Sequence, residues 1–306
     1  MDFEKSMAEC VKEVEALIMK YLPKEEGYQK TVLEAMNYSF MAGGKRLRPM
    51  IMYRTYKAFG GESAFIEPFM AALEMIHTYS LVHDDLPEMD NDDLRRGKPT
   101  THKAYGQAMA VLAGDGLLNY AFETALKAAA MAEDADSRLR VLEAMQVLAS
   151  KAGVYGMIGG QVVDVESEKK GTLLSMEQLM FIHENKTAAL LQSALMIGAI
   201  LAGASSEQIK VLEEAGLHVG VAFQIQDDIL DVTSTTEVLG KPVGSDEEND
   251  KVTFVSYTGL EKSIEEQKRM SAKAVEILTG LKHSGCDNEH MEFVIELVEY
   301  LVNRKL

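Results

Sequence analysis

Two clusters of aspartates hold the side chains in this sequence that are best suited to chemistry. The first lies in residues 83–97, which read HDDLPEMDNDDLRRG, and the second in residues 223–231, which read FQIQDDILD. Each follows an apolar segment with helical periodicity, so its leading carboxylates are expected to face inward. Burying like charges without partners is costly, and these carboxylates therefore need cations. A ligand set made only of carboxylates favours a hard ion such as Mg²⁺, which also binds phosphate oxygens.

The spacing of the aspartates predicts which of them can share an ion. Asp227 and Asp231 are four residues apart and lie on one face of a helix. Asp84 and Asp90 are six residues apart, which places them on different faces of a regular helix. The proline of the intervening Leu86-Pro87 pair cannot donate a helical hydrogen bond and should distort the helix. A two-residue bulge at this pair would bring Asp84 and Asp90 back to near i,i+4 alignment.

Two other kinds of metal site fit the spacing of the first cluster poorly. A calcium-binding EF-hand loop that starts at Asp90 needs glycine at its sixth position and glutamate at its twelfth. The chain has Arg95 and Thr101 there, which excludes that loop. An HD-type phosphohydrolase built on His83-Asp84 needs a further histidine ligand well upstream. The only earlier histidine is His77, so this alternative is weak.

The net charge of the chain disfavours nucleic acid as a partner. It is −17 at pH 7, with 48 acidic and 31 basic residues among 306. A protein of this sign repels phosphate backbones. A small anionic substrate remains compatible with this charge if it meets a local cluster of lysine and arginine, or a metal bridge.

The sequence predicts a cytoplasmic protein without a membrane span. Cys10 and Cys286 are its only cysteines, which does not describe a disulfide framework. The first ten residues mix charges of both signs and do not resemble a signal peptide. The longest apolar stretch, residues 188–203, is shorter than the ~20 residues of a spanning helix, so we interpret it as a buried core helix.

Apolar residues that recur at threes and fours along the chain predict an all-α fold. Ser175 with Gln178 matches a capping box, and Ser206 is expected to cap the helix after it. No glycine-, serine- or proline-rich tract separates two halves, so a single domain over residues 1–306 is predicted. The predicted helices cover residues 7–22, 30–41, 68–83, 101–131, 138–148, 176–201, 207–232, 260–281 and 288–302.

At these motifs the chain resembles the trans-isoprenyl diphosphate synthases, and more narrowly their bacterial farnesyl branch, whose first aspartate motif carries two extra residues. The resemblance implies a helical bundle around a deep central cavity, two diphosphate substrates, and a homodimer. The segments that carry it are residues 43–49 (GGKRLRP), 76–80 (IHTYS), 83–100, 112–115 (LAGD), 159–161 (GGQ), 185–187 (NKT), 223–231 and 239–241 (LGK).

The resemblance also implies which residues bind metal. Asp84 and Asp90 would hold two Mg²⁺ ions and Asp227 a third, with Mn²⁺ able to substitute. All three ions would bridge the diphosphate of the allylic substrate. A second tier of carboxylates would act through water or support the metal ligands. These are Asp85, Asp228 and Asp231.

Roles for the basic and polar residues follow from the same resemblance. The contacts to the allylic diphosphate would be Arg95, Lys186 and Lys241, with Thr187 and Gln224 directing oxygens at the allylic carbon. A separate metal-free pocket for isopentenyl diphosphate would be formed by Gly44, Lys45, Arg48, His77 and Arg96. The planar fork of arginine suits phosphate oxygens, and the glycine pair before Lys45 lets backbone approach a ligand closely.

Product length is expected to depend on the residues one helical turn before Asp84. Tyr79 and Ser80 precede it by five and four positions, and the tyrosine ring should stop the growing chain at fifteen carbons. A geranylgeranyl or geranyl diphosphate synthase is the alternative, and a non-catalytic subunit of such an enzyme is a weaker one. A terpene cyclase is disfavoured because the second motif keeps its aspartates, including Asp227.

Overall fold

A computed structural model of the chain describes residues 3–170, 174–233, 252–283, 286 and 288–302. Helices dominate it, and the only strands in the described residues are β1 (Leu94–Arg95) and β2 (Lys98–Pro99), which pair antiparallel. The predicted all-α class is confirmed. The helices are α1 (Phe3–Ile18), α2 (Lys30–Phe40), α3 (Leu47–Ala58), α4 (Glu67–Asp84), α5 (Thr101–Tyr105), α6 (Gln107–Met131), α7 (Ala135–Ala152), α8 (Met157–Lys170), α9 (Met176–Ile182), α10 (Ala189–Ala202), α11 (Ser206–Thr233), α12 (Phe254–Thr258), α13 (Leu260–His283) and α14 (Asn288–Val302).

The chain divides into two compact units. The first unit comprises Met1–Tyr53 and Ser63–Met145, and the second comprises Arg54–Glu62 and Gln146–Leu306. The first aspartate motif and the GGKRLRP segment belong to the first unit. The second aspartate motif and the NKT segment belong to the second. The single domain over 1–306 and the central cavity stay predictions.

Helix α4 is the core helix of the first unit and carries the first motif at its end. Pro68 lies in its first turn, where the missing N–H leaves no hydrogen bond unmade. Its side chains are buried around most of its circumference, and its principal neighbour is α6. A helix that is apolar all round is one that lies inside a core, and each fully buried Leu, Met or Phe contributes about 1.5–3 kcal/mol. The end of α4 is therefore a rigid support.

Several predicted helix ends need correction, beginning with α1, which covers Phe3–Ile18 and not residues 7–22. The span 101–131 is not one helix, because Gly106 has φ +86° and ends α5 before α6 begins. The cap of α11 is Ser205 and not Ser206: its hydroxyl accepts from Gln208 N, and its own N–H donates to Gln208 Oε1. The capping box of Ser175 and Gln178 at α9 is confirmed.

One apolar helical stretch, Met176–Ala202, is long enough and apolar enough to cross a membrane, but 83% of its most apolar window is buried within the protein. The interpretation of residues 188–203 as a core helix is therefore confirmed. Its buried amide is satisfied internally, because Gln192 Nε2 donates to Glu213 O (3.0 Å) and Gln192 Oε1 accepts from Lys151 Nζ (2.9 Å). Buried polar groups are stable only with such partners.

Candidate active site

The first motif brings Asp84 and Asp90 together by a turn that follows α4. The helix ends at Asp84, and the N–H of Asp90 donates to the carbonyl of Asp84 at 2.9 Å. Asn91, with φ +55°, then donates to Leu86 O and redirects the chain. The two extra residues, Leu86 and Pro87, were expected to form a bulge; they lie instead in a turn, because α4 ends at Asp84. The two aspartates are nonetheless adjacent in the backbone, as the spacing argument required.

The carboxylates of this turn are better suited to Mg²⁺ than to a metal ion whose ligands are all protein side chains. Asp84 is half-buried and Asp90 is exposed. In the described part of the chain, no three His, Cys, Asp or Glu side chains lie close enough to hold an ion by themselves. Mg²⁺ commonly takes one or two carboxylates and completes its octahedron with waters and substrate phosphate oxygens. A site with two carboxylates, one half-buried and one exposed, matches that preference.

Asp85 is buried, and its carboxylate positions Arg95. It is 3% exposed, and its Oδ1 accepts from Arg95 Nε at 2.6 Å and lies 2.5 Å from Nη2. Burial raises the pKa of the Asp85 carboxyl, and the bond and charge of Arg95 oppose that shift only in part. Burial lowers the pKa of Arg95, but Asp85 more than offsets this, so that its pKa is raised. Arg95 is thus a fixed positive charge beside the turn.

A tight hairpin presents Arg95 and Arg96 to the end of α4. Arg96 and Gly97 form its two-residue loop with φ +55° and +74°, the positive values that a type I′ turn requires. Two hydrogen bonds hold the hairpin in place. Tyr38 Oη donates to Pro99 O at 2.7 Å, and Thr100 Oγ1 donates to Asp92 O at 2.8 Å. The predicted pair of diphosphate-binding arginines is therefore held on rigid backbone.

Arg46 is a structural residue, unlike its neighbours in the GGKRLRP segment. Its side chain is 1% exposed, and all of its guanidinium nitrogens have partners: Nε meets Glu15 Oε1 at 3.1 Å, Nη1 meets Glu74 Oε1 at 2.7 Å, and Nη2 meets Phe40 O at 2.9 Å. Arg46 adopts φ +48° to reach them. Lys45 is left exposed. One segment thus contains both a buried structural arginine and an exposed lysine.

Arg48, His77 and Arg96 form a cation-rich cluster in the first unit. Burial lowers the pKa of Arg48 to about 10, with Arg96 lowering it further and Glu74 opposing. Burial lowers the pKa of His77 well below its usual value, and the charges of Arg48, Arg96, Arg95 and Arg46 add to this. His77 is therefore neutral amid arginines. Arg48 Nε is buried without a hydrogen-bond partner, the condition expected where a ligand oxygen completes the network.

Gly44 forms part of the same cluster. Arg96 Nη1 donates to Gly43 O, and a β-carbon on Gly44 would lie 2.7 Å from Arg96 Cζ. Any larger residue at Gly44 would displace that guanidinium. The predicted isopentenyl pocket residues Gly44, Arg48, His77 and Arg96 are therefore coupled to one another by contact or by charge.

Glu74 is a site residue that sequence reasoning missed. It is the buried counter-charge of the cluster: Oε1 binds Arg46, and Oε2 is buried without a hydrogen-bond partner. Its position inside the apolar run of α4 could have indicated a buried ion pair, since a carboxylate is almost never fully buried unless it is paired. Its partner could not be identified from the sequence, because Arg46 lies 28 residues away.

In the second unit, the second motif joins the NKT segment through Gln224. Thr187 Oγ1 donates to Gln224 Oε1 at 2.8 Å, and Gln224 Nε2 donates to Asp228 Oδ1 at 3.3 Å. Asp228 also accepts from Phe254 N at 2.8 Å, so it holds the start of α12. Asp227 is half-buried, whereas Asp228 and Asp231 are buried. The division into one metal-ligand candidate and two supporting carboxylates is consistent with this burial.

Lys186 lies in a π-helical turn, His183–Ala188, between α9 and α10. Such turns are rare and occur frequently at functional sites. Its Nζ is 2.6 Å from Oδ2 of Asp164, which is buried on α8. A β-carbon on Gly160 would lie 2.3 Å from Lys186 N, so only glycine allows α8 this close. Asp164, three residues after the GGQ segment, is the second residue that sequence reasoning missed.

Tyr79 lies in the core one turn before Asp84, as predicted. It is 5% exposed, and its hydroxyl has no hydrogen-bond partner. Burial, with the charge of Asp84, raises the pKa of Tyr79 to about 12. Ser80 is half-buried and donates to His77 O at 2.9 Å. Lys241, the remaining predicted contact, lies outside the described residues.

Known proteins match nearly the whole chain. The family model for polyprenyl synthetase matches residues 29–289. Farnesyl diphosphate synthase of Geobacillus stearothermophilus is 43% identical over 97% of both chains. The chloroplastic heterodimeric geranylgeranyl pyrophosphate synthase large subunit 1 of Arabidopsis thaliana is 45% identical over 89% of this chain and 72% of its own.

Two solved structures share the fold along its length. An apo FPP/GFPP synthase from Zymomonas mobilis has a TM-score of 0.84 and 32% identity, covering 98% of this chain and 99% of its own. A geranyltransferase from Helicobacter pylori, complexed with magnesium and isoprenyl diphosphate, has a TM-score of 0.82 and 31% identity over 99% and 97%.

Proposed function

Because the chain belongs to the polyprenyl synthetase family and is a prenyl diphosphate synthase, we propose that it makes farnesyl diphosphate. It would condense isopentenyl diphosphate with dimethylallyl and then geranyl diphosphate, releasing diphosphate at each step. The observation that carries the proposal is the cation-rich cluster of Arg48, His77 and Arg96 beside the aspartate turn. A polyanion is what such a cluster stabilises, and the family is Mg²⁺-dependent.

The residues of the aspartate motifs would hold the leaving diphosphate. We assign Asp84 and Asp90 to two Mg²⁺ ions and Asp227 to a third, with Mn²⁺ as a substitute that also accepts oxygen ligands. When bound, the ions supply Lewis-acid stabilisation of the leaving diphosphate. Arg95, Lys186 and Lys241 would donate to the same oxygens. Such fixed donors stabilise charge that develops as the allylic carbon–oxygen bond breaks.

The polar pair of the second unit would face the allylic cation. Because Gln224 Oε1 accepts from Thr187, oxygens at this pair are held by a hydrogen bond and need little reorganisation during the reaction. The second substrate would bind through Arg48, Arg96 and Lys45, with neutral His77 as a hydrogen-bonding partner. Its double bond then attacks the cation, and a proton passes to the departed diphosphate. No side-chain nucleophile is required.

An assay with labelled isopentenyl diphosphate and each allylic primer tests the activity. We expect incorporation into an acid-labile prenyl product with Mg²⁺ present, and loss of incorporation after chelation because the leaving group loses its Lewis acid. Activity should return on adding Mg²⁺ and, more weakly, Mn²⁺. Full turnover in the presence of chelator would contradict the metal assignment.

Tyr79→Ala is expected to extend the product beyond fifteen carbons, because it removes the ring that ends the growing chain. The measurement is chromatography of the dephosphorylated products. Tyr79→Phe is the matched control: since the hydroxyl has no hydrogen-bond partner, it should keep the wild-type product. An unchanged product from a folded Tyr79→Ala variant would reject Tyr79 as the floor of the site.

A geranylgeranyl product is the second candidate, favoured by the similarity to the Arabidopsis thaliana subunit. Tyr79 favours the shorter product, since a buried aromatic ring one turn before Asp84 leaves less room for a tail. We further propose, on the strength of the family resemblance, a homodimer that acts in the cytoplasm. Product analysis and sedimentation of the purified protein test these statements.

A further inference from the structure

The ring of His83 is packed between Tyr79 and the small residue Gly114. On one side, the rings of Tyr79 and His83 meet edge to face, with centroids 5.9 Å apart and planes at 79°. On the other side, a β-carbon on Gly114 would lie 2.0 Å from His83 Nε2. The ring is also tied to α6, because Nε2 lies 3.1 Å from Val111 O. These contacts all lie within the first unit.

We propose that His83 is a specificity-determining positioning residue, which holds the Tyr79 ring in the place where it limits product length. This inference rests on the proposed role of Tyr79. Gly114 takes part because only glycine leaves room for the imidazole between α4 and α6. Product length would then depend on three residues, Tyr79, His83 and Gly114.

Nothing polar holds Tyr79 in place, which is why a packing partner matters. Its hydroxyl is buried without a hydrogen-bond partner, so the ring orientation depends on its neighbours. His83 lies four residues later, on the same face of α4. An edge-to-face pair is a preferred arrangement of aromatic rings, and the imidazole supplies it. Without that partner, the Tyr79 ring gains rotamer freedom and can move away from a growing chain.

The His83 side chain points in a different direction from the carboxylates that are proposed to bind metal. Successive residues of a helix point about 100° apart, and the imidazole contacts α6 while Asp84 continues into the turn. The charged group nearest the ring is Asp115, whose Oδ1 is 3.8 Å from Nε2. His83 therefore acts on Tyr79 by packing, and its replacement should alter which product is made more than whether product is made.

Gly114→Ala tests the inference, with Gly116→Ala as a matched control on the same helix. Both changes raise helix propensity equally. The new β-carbon at 114 collides with the imidazole, whereas at 116 it meets the end of the flexible Met36 side chain, 2.8 Å from its sulfur. We expect Gly114→Ala to raise the ratio of twenty- to fifteen-carbon product about tenfold, equivalent to ~1.4 kcal/mol in relative barrier height. Gly116→Ala should keep the wild-type ratio.

His83→Ala provides an independent test, and it decides the question if Gly114→Ala does not fold. It should shift the ratio in the same direction. If Tyr79→Ala lengthens the product but Gly114→Ala and His83→Ala do not, the inference is overturned while the proposed function stands. If Tyr79→Ala has no effect, the role of Tyr79 fails and the inference fails with it. Equal lengthening by Gly116→Ala would also overturn it.

Discussion

Asp84→Ala is expected to lower turnover by about 10³, roughly 4 kcal/mol of activation free energy. Asp84 ends the rigid helix α4, and its backbone carbonyl is bonded to the N–H of Asp90. On the proposed assignment, loss of its carboxylate would remove a ligand from the ions that stabilise the leaving diphosphate, a contribution made mainly in the transition state. Such losses lower kcat and kcat/KM together. Steady-state kinetics at saturating Mg²⁺ measure the effect.

Asp93→Ala is the control for this change, because it removes the same group from the same motif. Asp93 is exposed, and it forms a surface ion pair with Lys103 at 2.7 Å. Surface pairs of this kind contribute ~0–1 kcal/mol, so near-native kinetics are expected. A folded Asp84→Ala enzyme with near-native turnover would refute the metal assignment.

Glu74→Ala is expected to lower the free energy of unfolding by about 3–5 kcal/mol, the usual loss when one partner of a buried ion pair is removed. The Arg46 and Glu74 side chains are 1% and 3% exposed and 2.7 Å apart. Without Glu74, the Arg46 charge stays buried with fewer partners, and the repulsion among the neighbouring arginines is no longer offset. Chemical denaturation followed by circular dichroism measures the loss.

Two further variants show whether the buried charge is responsible. Glu67→Ala removes a carboxylate from the first turn of the same helix, where its partner Lys20 is 57% exposed and Glu67 is 16% exposed, and should cost only about 0–1 kcal/mol. The double variant Glu74→Leu with Arg46→Met should recover much of the stability, because an apolar pair of similar volume leaves no buried charge. Equal losses for Glu67→Ala and Glu74→Ala would contradict this explanation.

The local chemistry of this protein could be predicted from the order of its residues alone. Carboxylates four residues apart on α11, the helical periodicity, and the capping box at Ser175 depend on residues close in the chain, so residue types and spacing are enough to predict them. The choice of Arg48 and Arg95 as candidate phosphate contacts also rests on residue type and spacing, and it stays a prediction. These predictions needed only the geometry of a helix and the chemistry of each side chain.

The packing of the helices determines which of several residues of the same type is structural and which is left for the site. Arg46 and Arg48 are two positions apart, yet only Arg46 is fully satisfied, because its partners come from α1, α2 and α4. Asp84 and Asp90 are brought together by the turn that follows α4, which ends at Asp84, three residues before Pro87. Glu74 and Gly114 acquire their roles from side chains on other elements. Contacts between residues distant in sequence depend on how helices pack, and neither spacing nor composition specifies that packing.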